Sequence, residues 1–299
     1  MSTDPGPSTS LQRWSVASLI ANTVIIWTGA LVRVTASGLG CPTWPQCTSG
    51  SYVPTPEMGL HGAIEFGNRL ITFILVAVAL GTYVVARRGV RAGVTPARAQ
   101  TLALLIGLGI MAQAGIGGLS VLTNLNPWVV GLHMVASVSL MIVCVELLHT
   151  AFRLRPLPAP ASLSALTQVV FWLGLAVIAL GVVVTGAGPH AGDGGAARNG
   201  LSPEWAAKAH AWAVWALVAL TVLGWVVAWS QPQLRRLWTG LLGVELLQGG
   251  IGYVQYFTQL PAGLVILHLI GTTAFVATVT HLWRRTGTSV QERHPVGVG

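Results

Sequence analysis

The 299-residue chain is too apolar for a soluble protein of its size. Apolar residue types make up 53% of the sequence and charged types only 8%, whereas about a quarter of the residues in soluble globular proteins are charged. The same composition excludes a disordered chain, a collagen, a coiled coil and a secreted disulfide scaffold. With 36 glycines and 12 tryptophans, it predicts a helical protein that crosses the membrane several times.

Eight apolar stretches are long enough, or nearly so, to cross about 30 Å of hydrocarbon as helices of about 20 residues. Each is predicted to be an α-helix, because a helix satisfies its own backbone hydrogen bonds in lipid. The predicted fold class is therefore an all-α membrane protein with eight transmembrane helices. In chain order the spans lie near residues 14–34, 66–86, 101–122, 129–149, 166–186, 207–229, 238–257 and 262–282.

The basic residues indicate the orientation in the bilayer. Twelve of the 16 precede the first span or follow an even-numbered span, and only Arg33, Arg69, Arg198 and Lys208 lie on the other side. Because basic residues accumulate on the cytoplasmic side, both termini are predicted to be cytoplasmic in a multi-pass protein of the cell membrane. The net charge of +8 is then a topology signal, and we expect the lipid bilayer and no nucleic acid as a partner.

Two segments of the chain resemble each other. Residues 113–133 read QAGIGGLSVLTNLNPWVVGLH and residues 248–268 read QGGIGYVQYFTQLPAGLVILH, with nine identities in 21 positions and no gap. A weaker similarity links VRVTASG at 32–38 with VVVTGAG at 182–188. These repeats predict two pseudo-symmetric four-helix bundles related by an axis along the membrane normal. The alternative is two glycine-rich packing helices without common origin.

The repeat predicts a division of the chain into five parts. They are a cytoplasmic tail at 1–13, an N-terminal four-helix half at 14–149, a cytoplasmic linker at 150–165, a C-terminal four-helix half at 166–283 and a cytoplasmic tail at 284–299.

Three histidines lie at one depth, in the outer leaflet. His133 and His268 occupy the same repeat position near the starts of helices 4 and 8, and His210 lies near the start of helix 6. Neutral imidazoles on facing helices bind haem iron, and such cofactors are held in the cores of helix bundles. We therefore predict that His133, His210 and His268 are iron ligands. The alternative is a hydrogen-bonded structural histidine, as expected for His149 and His281 at the cytoplasmic helix ends.

The first outer loop contains two cysteines in the run CPTWPQC. Cys41 and Cys47 are predicted to form a structural disulfide, because close cysteines outside the cytoplasm usually pair. A redox role for the pair remains an alternative.

Several segments together resemble the haem A synthase family. TGALVRVTASGLGCPTWPQC at 28–47 closely resembles the family's first helix and first outer loop, and IEFGNR at 64–69, LNPWVVGLH at 125–133 and TGAGPHAGD at 185–193 are also similar. The resemblance implies a membrane oxidase that converts the C8 methyl group of haem O to a formyl group by successive hydroxylations. The product would be haem A for terminal oxidases.

The resemblance also implies roles for individual residues. His210 and His268 would be the axial ligands of a permanent haem b in the C-terminal half. His133 would be one ligand of the substrate haem O, and of the product haem A, in the N-terminal half. Glu65 matches the family's acidic residue at the mouth of helix 2 and is expected to be catalytic, as a proton relay or a substrate-positioning group. A salt bridge to Arg69 at i+4 is the simpler interpretation.

One position departs from the family. Many members have a histidine ligand in helix 2 where this chain has Asn68, and asparagine is a poor iron ligand. Either His61 replaces that ligand, or His133 binds the substrate haem alone and leaves one face open; we slightly favour the second hypothesis. Arg33 and Arg69 are candidates for binding the haem propionates.

Two other classes of protein compete with this interpretation. A di-haem b-type electron-transfer protein needs two symmetric pairs of histidine ligands, and Asn68 breaks that symmetry. A transporter would favour a charged site at mid-bilayer, whereas these histidines are shallow. The expected partners of the enzyme are haem O, an electron donor and a haem O synthase.

Overall fold

A computed structural model describes residues 8–288, which form eight α-helices. The predicted tail residues 1–7 and 289–299 lie outside the described part. A 3-10 turn, Pro56–Met58, precedes the second helix, and two short parallel strands, β1 (Leu157–Ala159) and β2 (Thr286–Thr288), pair beyond the ends of the fourth and eighth helices. The helices are α1 (Thr9–Val34), α2 (Gly59–Arg91), α3 (Ala97–Leu122), α4 (Pro127–Ala151), α5 (Ala161–Ala187), α6 (Pro203–Val227), α7 (Pro232–Phe257) and α8 (Ala262–Arg285).

Seven of the described helices are long and apolar enough to cross a membrane, so the chain is a multi-pass membrane protein. The exception is α7, for which the sequence also predicted a span at 238–257. It has 26 residues, but Glu245, Gln248 and several glycines lower its mean hydropathy. The helix predicted at 66–86 begins seven residues earlier, at Gly59, so that His61 lies in its first turn.

The helices pack in two groups of four along the described chain. In the first group α1 contacts α2 and α4, and α3 contacts α2 and α4. In the second group α5 contacts α6 and α8, and α7 contacts α6 and α8. The groups meet where α8 packs on α1 and α4, and α5 on α4. One apolar cluster around Ile106 and Leu147 fills the first group. Another around Trp238 and Val276 fills the second and extends across the contact between the groups to Ile26 of α1 and Met141 of α4.

Helix starts determine the depth of the candidate ligands. Asn126 caps α4 by accepting a 3.0 Å hydrogen bond from the Trp128 amide, and Pro127 is the first helical residue. Ser202 caps α6 in the same way, with Pro203 as the first residue. Both are favoured residues at these positions. His133 and His210 therefore lie about two turns inside their helices, since each residue adds about 1.5 Å.

The α3–α4 and α7–α8 turns have the same backbone shape. Asn124 and Leu125 have φ angles of 51° and 58°, and Gln259 and Leu260 have 62° and 58°. In both turns the second residue donates its amide over 2.7 Å to the carbonyl five residues earlier. Two successive non-glycine residues with positive φ are uncommon. This turn therefore brings His133 and His268 to equivalent places, each eight residues later.

Polar side chains connect the two groups of helices at the ends of α4 and α8. Glu146 contacts Arg98 of α3 at 2.5 Å and Arg284 of α8 at 2.8 Å. Three residues along, the rings of His149 and His281 meet with a nitrogen–nitrogen distance of 2.9 Å. Glu146 is buried, so its carboxylate is the negative centre of this contact.

The Glu146→Ala variant is expected to lose about 1–2 kcal/mol of unfolding free energy. Hydrogen bonds to charged groups contribute about 1.5–3 kcal/mol, and the partial exposure of both arginines reduces that contribution. Thermal unfolding of the purified protein in detergent measures the change. The matched control is Glu204→Ala, which removes an exposed pair with Lys208 and should leave the midpoint unchanged. Equal shifts in the two variants would contradict the assignment.

Candidate functional site

Each of the three candidate ligands packs against a glycine on the preceding helix. A Cβ atom added to Gly117 would lie 3.2 Å from Cε1 of His133, and one added to Gly181 would lie 3.2 Å from Cε1 of His210. At Gly252 the corresponding distance to Cε1 of His268 is 3.6 Å. The glycines thus leave room for an imidazole ring directly against a neighbouring helix backbone. A larger residue at Gly117 or Gly181 would push the ring away.

The turns that carry His133 and His268 are held by the same hydrogen bonds. Gln113 on α3 donates its side-chain amide to the carbonyl of His133 at 3.2 Å, and Gln248 on α7 donates to the carbonyl of His268 at 3.2 Å. One turn further, Ser137 and Thr272 donate their hydroxyls to the same two carbonyls at 2.9 Å. The two residues of each matched pair (Gln113 and Gln248, His133 and His268, Ser137 and Thr272) are 135 positions apart, as in the sequence repeat.

The ring nitrogens have the character needed for metal binding. His210 Nδ1 lies 3.0 Å from the Val177 carbonyl, and because a carbonyl only accepts, Nδ1 carries the proton and Nε2 keeps a free lone pair. Such a second hydrogen bond typically orients a ligating imidazole. His133 and His268 have a buried Nδ1 with no partner among the described residues. Half-buried, incompletely bonded imidazoles beside glycines fit a haem group.

The two helix 2 candidates have different surroundings. The side-chain oxygen of Asn68 accepts a 2.7 Å hydrogen bond from the Thr28 hydroxyl of α1. His61 is exposed, and its Nδ1 lies 3.0 Å from the Ser37 hydroxyl. His61 lines a cavity of about 460 Å³ at the loop ends, together with Ala36, Leu39, Gly40, Pro42, Met58, Asp193 and Gly194.

Glu65 and Arg69 hold the first outer loop. The buried Glu65 carboxylate accepts from the Cys41 amide with Oε2 and from Arg69 with Oε1, the latter at 2.6 Å. Arg69 also donates to the carbonyls of Cys41 and Thr43 at 3.0 Å, and to that of Gln46 at 3.2 Å. The i+4 salt bridge expected from the sequence is therefore present. It is one part of a larger network that ties α2 to the loop.

The loop itself is closed by Cys41 and Cys47, whose sulfur atoms are 1.99 Å apart. Both residues are fully buried. Trp44, at the tip, packs its ring against Gly118 near the C-terminal end of α3. The loop therefore covers the end of the first helix group at which α3 ends and α4, with His133, begins.

Arg33 connects the two groups of helices at this same end. It donates to the carbonyls of His190 at 2.5 Å and Thr185 at 2.8 Å, both in the segment that ends α5. The Gly38 amide donates to the Gly192 carbonyl at 2.7 Å, and His190 Nε2 donates to the Leu260 carbonyl at 2.9 Å. The sequence pattern identified Arg33 only as a candidate anion ligand, because contacts with a distant backbone leave no signal in local spacing.

Comparisons with known proteins identify relatives of the chain. Residues 12–280 match the family profile COX15-CtaA, described as cytochrome oxidase assembly protein. A protein named Heme A synthase from Geobacillus kaustophilus (strain HTA426) is 30% identical over 139 residues, which are 46% of this chain and 42% of the relative. Proteins with the same name from Listeria welshimeri and Geobacillus thermodenitrificans are 31% identical over 135 and 144 residues.

The matched parts of these relatives are limited. The alignment with the Listeria welshimeri protein covers 43% of this chain and 41% of the relative, and that with the Geobacillus thermodenitrificans protein covers 48% and 44%. The chain thus spans less than half the length of each of these curated relatives.

Replacing Arg69 with alanine is expected to loosen the first outer loop. Three loop carbonyls lose their donor, and amide hydrogen exchange at 41–46 should become about tenfold faster or more, since about 1.4 kcal/mol corresponds to tenfold. Peptide-resolved mass spectrometry measures the exchange. The control is Arg33→Ala, which should accelerate exchange at 185–192 and leave 41–46 unchanged. Loss of protection at both segments in both variants would refute separate roles for the two arginines.

Proposed function

Because the chain belongs to the COX15-CtaA family of cytochrome oxidase assembly proteins, we propose that it is a haem A synthase. It would oxidise the C8 methyl group of haem O to a formyl group by successive hydroxylations and release haem A. The observation that carries this proposal is the set of three half-buried imidazoles, each packed on a glycine near the outer helix ends. The relatives named Heme A synthase support the same activity.

We also propose that the two groups of helices are pseudo-symmetric halves. The matched turns, glutamines and glycines around His133 and His268 support a duplication. A further argument comes from the α4–α8 contact. With the repeat spacing of 135, Glu146 corresponds to His281 and His149 to Arg284. The Glu146–Arg284 and His149–His281 contacts are then equivalents, as expected where two similar halves meet about a two-fold axis.

In the C-terminal half, His210 and His268 would hold the iron of haem b through their ring nitrogens. The Val177 carbonyl orients His210 so that Nε2 is free, and Gln248 and Gly252 position the turn and ring of His268. Bound there, haem b would supply one-electron transfer. The protein's part is to orient the imidazoles and to exclude water with the surrounding apolar side chains.

In the N-terminal half, His133 would bind the iron of the substrate haem O alone. Asn68 has its side-chain oxygen engaged by Thr28 and is a poor iron ligand. His61 is exposed and borders the outer cavity, which supports the hypothesis that it does not replace the missing ligand. One face of the substrate would then stay open for the oxidation.

Glu65 would act at the edge of this substrate site. Because its two carboxylate oxygens hold the Cys41 amide and Arg69, its first role would be to position the disulfide loop. A proton-transfer role would require one oxygen to exchange its partner. Arg33 and Arg69 donate mostly to backbone carbonyls. Among the described residues, the Arg33 nitrogen Nη1 and the Arg69 nitrogen Nε have no hydrogen-bond partner, and they would be the ones to approach a propionate.

Several further features belong to the proposal. Both termini would be cytoplasmic, and the haem sites would lie toward the outer face of the cell membrane. The Cys41–Cys47 disulfide would be structural, since the loop it closes is held by Glu65 and Arg69. Haem O synthase and a one-electron donor are the expected partners. The alternative, a di-haem b electron-transfer protein, is not favoured, because Asn68 removes one histidine of its second pair.

The iron porphyrins of the purified protein test the assignment of the sites. Wild type supplied with haem O should contain haem b together with haem O or A by pyridine haemochrome spectra. His210→Ala and His268→Ala should lose haem b, His133→Ala should lose only the O or A type, and His61→Ala should match wild type. A protein containing haem b alone would favour the electron-transfer alternative, and a protein without haem would refute both.

The Glu65→Ala variant is expected to keep haem b but to convert haem O at least about 100-fold more slowly, as for loss of a positioned acid–base or orienting group. Chromatography of extracted haems measures the conversion. Glu65→Gln separates the roles, because glutamine still accepts hydrogen bonds from the loop but does not transfer the proton. Substantial activity of Glu65→Gln supports positioning. Normal turnover of Glu65→Ala would refute both roles.

A further inference from the structure

The second group of helices contains a buried carboxyl group that the proposed reaction does not use. Glu245 lies in the middle of α7 and is 3% exposed. Its Oε1 accepts a 2.9 Å hydrogen bond from Thr221 of α6, whereas its Oε2 is buried without a partner in the described chain. Ionising a carboxyl group in such a place is costly unless a nearby charge change or a bound proton compensates it.

Glu245 shares a helix face with the residues that hold His268. Positions 245, 248 and 252 follow the i, i+3, i+7 spacing of one α-helical face. Gln248 bonds the His268 carbonyl, and Gly252 packs against the His268 ring. At about 1.5 Å per residue, Glu245 lies about 10 Å further into the membrane than Gly252. Glu245 therefore lies two helical turns from Gly252, on the face of α7 that carries the residues contacting His268.

The matching position in the first group of helices has no acid. With the repeat spacing of 135, Glu245 corresponds to Ile110, which is also 3% exposed. The remainder of the face is preserved, since Gln113 and Gly117 correspond to Gln248 and Gly252. The acid is thus specific to the half that would hold the permanent haem.

Other buried polar atoms of the second group of helices also lack a partner among the described residues. They include Trp238 Nε1, two turns before Glu245 on α7, Thr280 Oγ1 on α8 and Ser164 Oγ on α5. Buried polar atoms of this kind are usually satisfied by internal water.

The other titratable groups around α7 lie at different levels. On α6 they are Glu204, Lys208 and His210, all in the outer third of the helix. On α8 they are His268 near the outer end and His281, Arg284 and Arg285 at the inner end, and α7 itself carries Arg235, Arg236, Tyr253 and Tyr256 near its ends. Among the acidic residues in the described part of this half, Glu245 is therefore the one in the middle of a helix.

We propose that Glu245 is a redox-linked protonation site for the haem b of the C-terminal half; this rests on the proposed function. As one electron from a one-electron donor reduces the iron from Fe(III) to Fe(II), the Glu245 carboxylate binds one proton. Charge is then balanced within the low-dielectric bundle, where a lone added electron is unfavourable. On reoxidation the proton is released. The reduced site binds the proton more tightly, so the midpoint potential falls as pH rises.

Redox potentiometry of the purified holoenzyme at several pH values tests the proposal. Dithionite with mediators is the reductant, and the haem b absorption bands report the potential. Wild type should show a potential that falls by up to about 59 mV per pH unit, the one-electron equivalent of a tenfold change in proton concentration. Glu245→Gln, which still accepts the Thr221 hydrogen bond, should lose the slope and keep the bands. The matched control Glu146→Gln should keep both.

The outcomes are separable. A protein without haem b bands refutes the proposed function, whereas haem b with no slope in wild type, or with an unchanged slope in Glu245→Gln, refutes this proposal alone. If Glu245→Gln does not fold, Thr221→Val replaces it, since loss of the hydroxyl donor should move the pH range of the slope. Reduced-minus-oxidised infrared spectra of wild type should also gain a carboxylic acid band that shifts in D2O. Absence of that band would contradict proton uptake by Glu245.

Discussion

The close packing of an imidazole ring against a glycine is the contact on which the candidate sites depend. His133, His210 and His268 each lie against a helix that has no side chain at the point of contact. In a membrane, helices approach closely through small residues, because van der Waals packing and interhelical hydrogen bonds take the place of hydrophobic burial. Here the space left by the missing side chain is filled by the ring. At His133 and His268, the helical turn that carries the ring is held by a hydrogen bond to the histidine carbonyl. The donors are the side-chain amides of Gln113 and Gln248 on the preceding helices.

A second constraint acts at the helix ends where the α1–α2 loop and the segment after α5 lie. Glu65 and Arg69 form a short ion pair, but most of their hydrogen bonds go to the backbone of the loop closed by Cys41 and Cys47. Arg33 likewise donates its hydrogen bonds to backbone carbonyls, those of Thr185 at the end of α5 and His190 just after it. Charged groups near the membrane boundary are therefore used to order loops above the two groups of helices. A substrate site beneath the first loop would gain protection from water by the same contacts.

Much of the fold and part of the site were predictable from periodicity and repeats. All eight helices, the disulfide partners and the Glu65–Arg69 pair follow from local pattern, because each depends on residues close in sequence. The short parallel strands after α4 and α8 were missed, since they pair segments more than 120 residues apart. The start of α2 at Gly59 was also missed, because the apolar run that indicates a span begins later than the helix does.

The amino-acid sequence by itself determined the membrane class, the helix count, the repeat and the positions of the three histidines along their helices. Hydropathy, cap residues and an exact spacing of 135 are properties of the linear chain. Only the tertiary structure decided which glycine each ring meets, that His61 lines a cavity between the loops, and that Arg33 bonds Thr185 at the end of α5 and His190 just after it. It also brought Glu245 and Thr221 together. These contacts join residues on different helices, and their distances depend on helix rotation and approach, which no local pattern encodes.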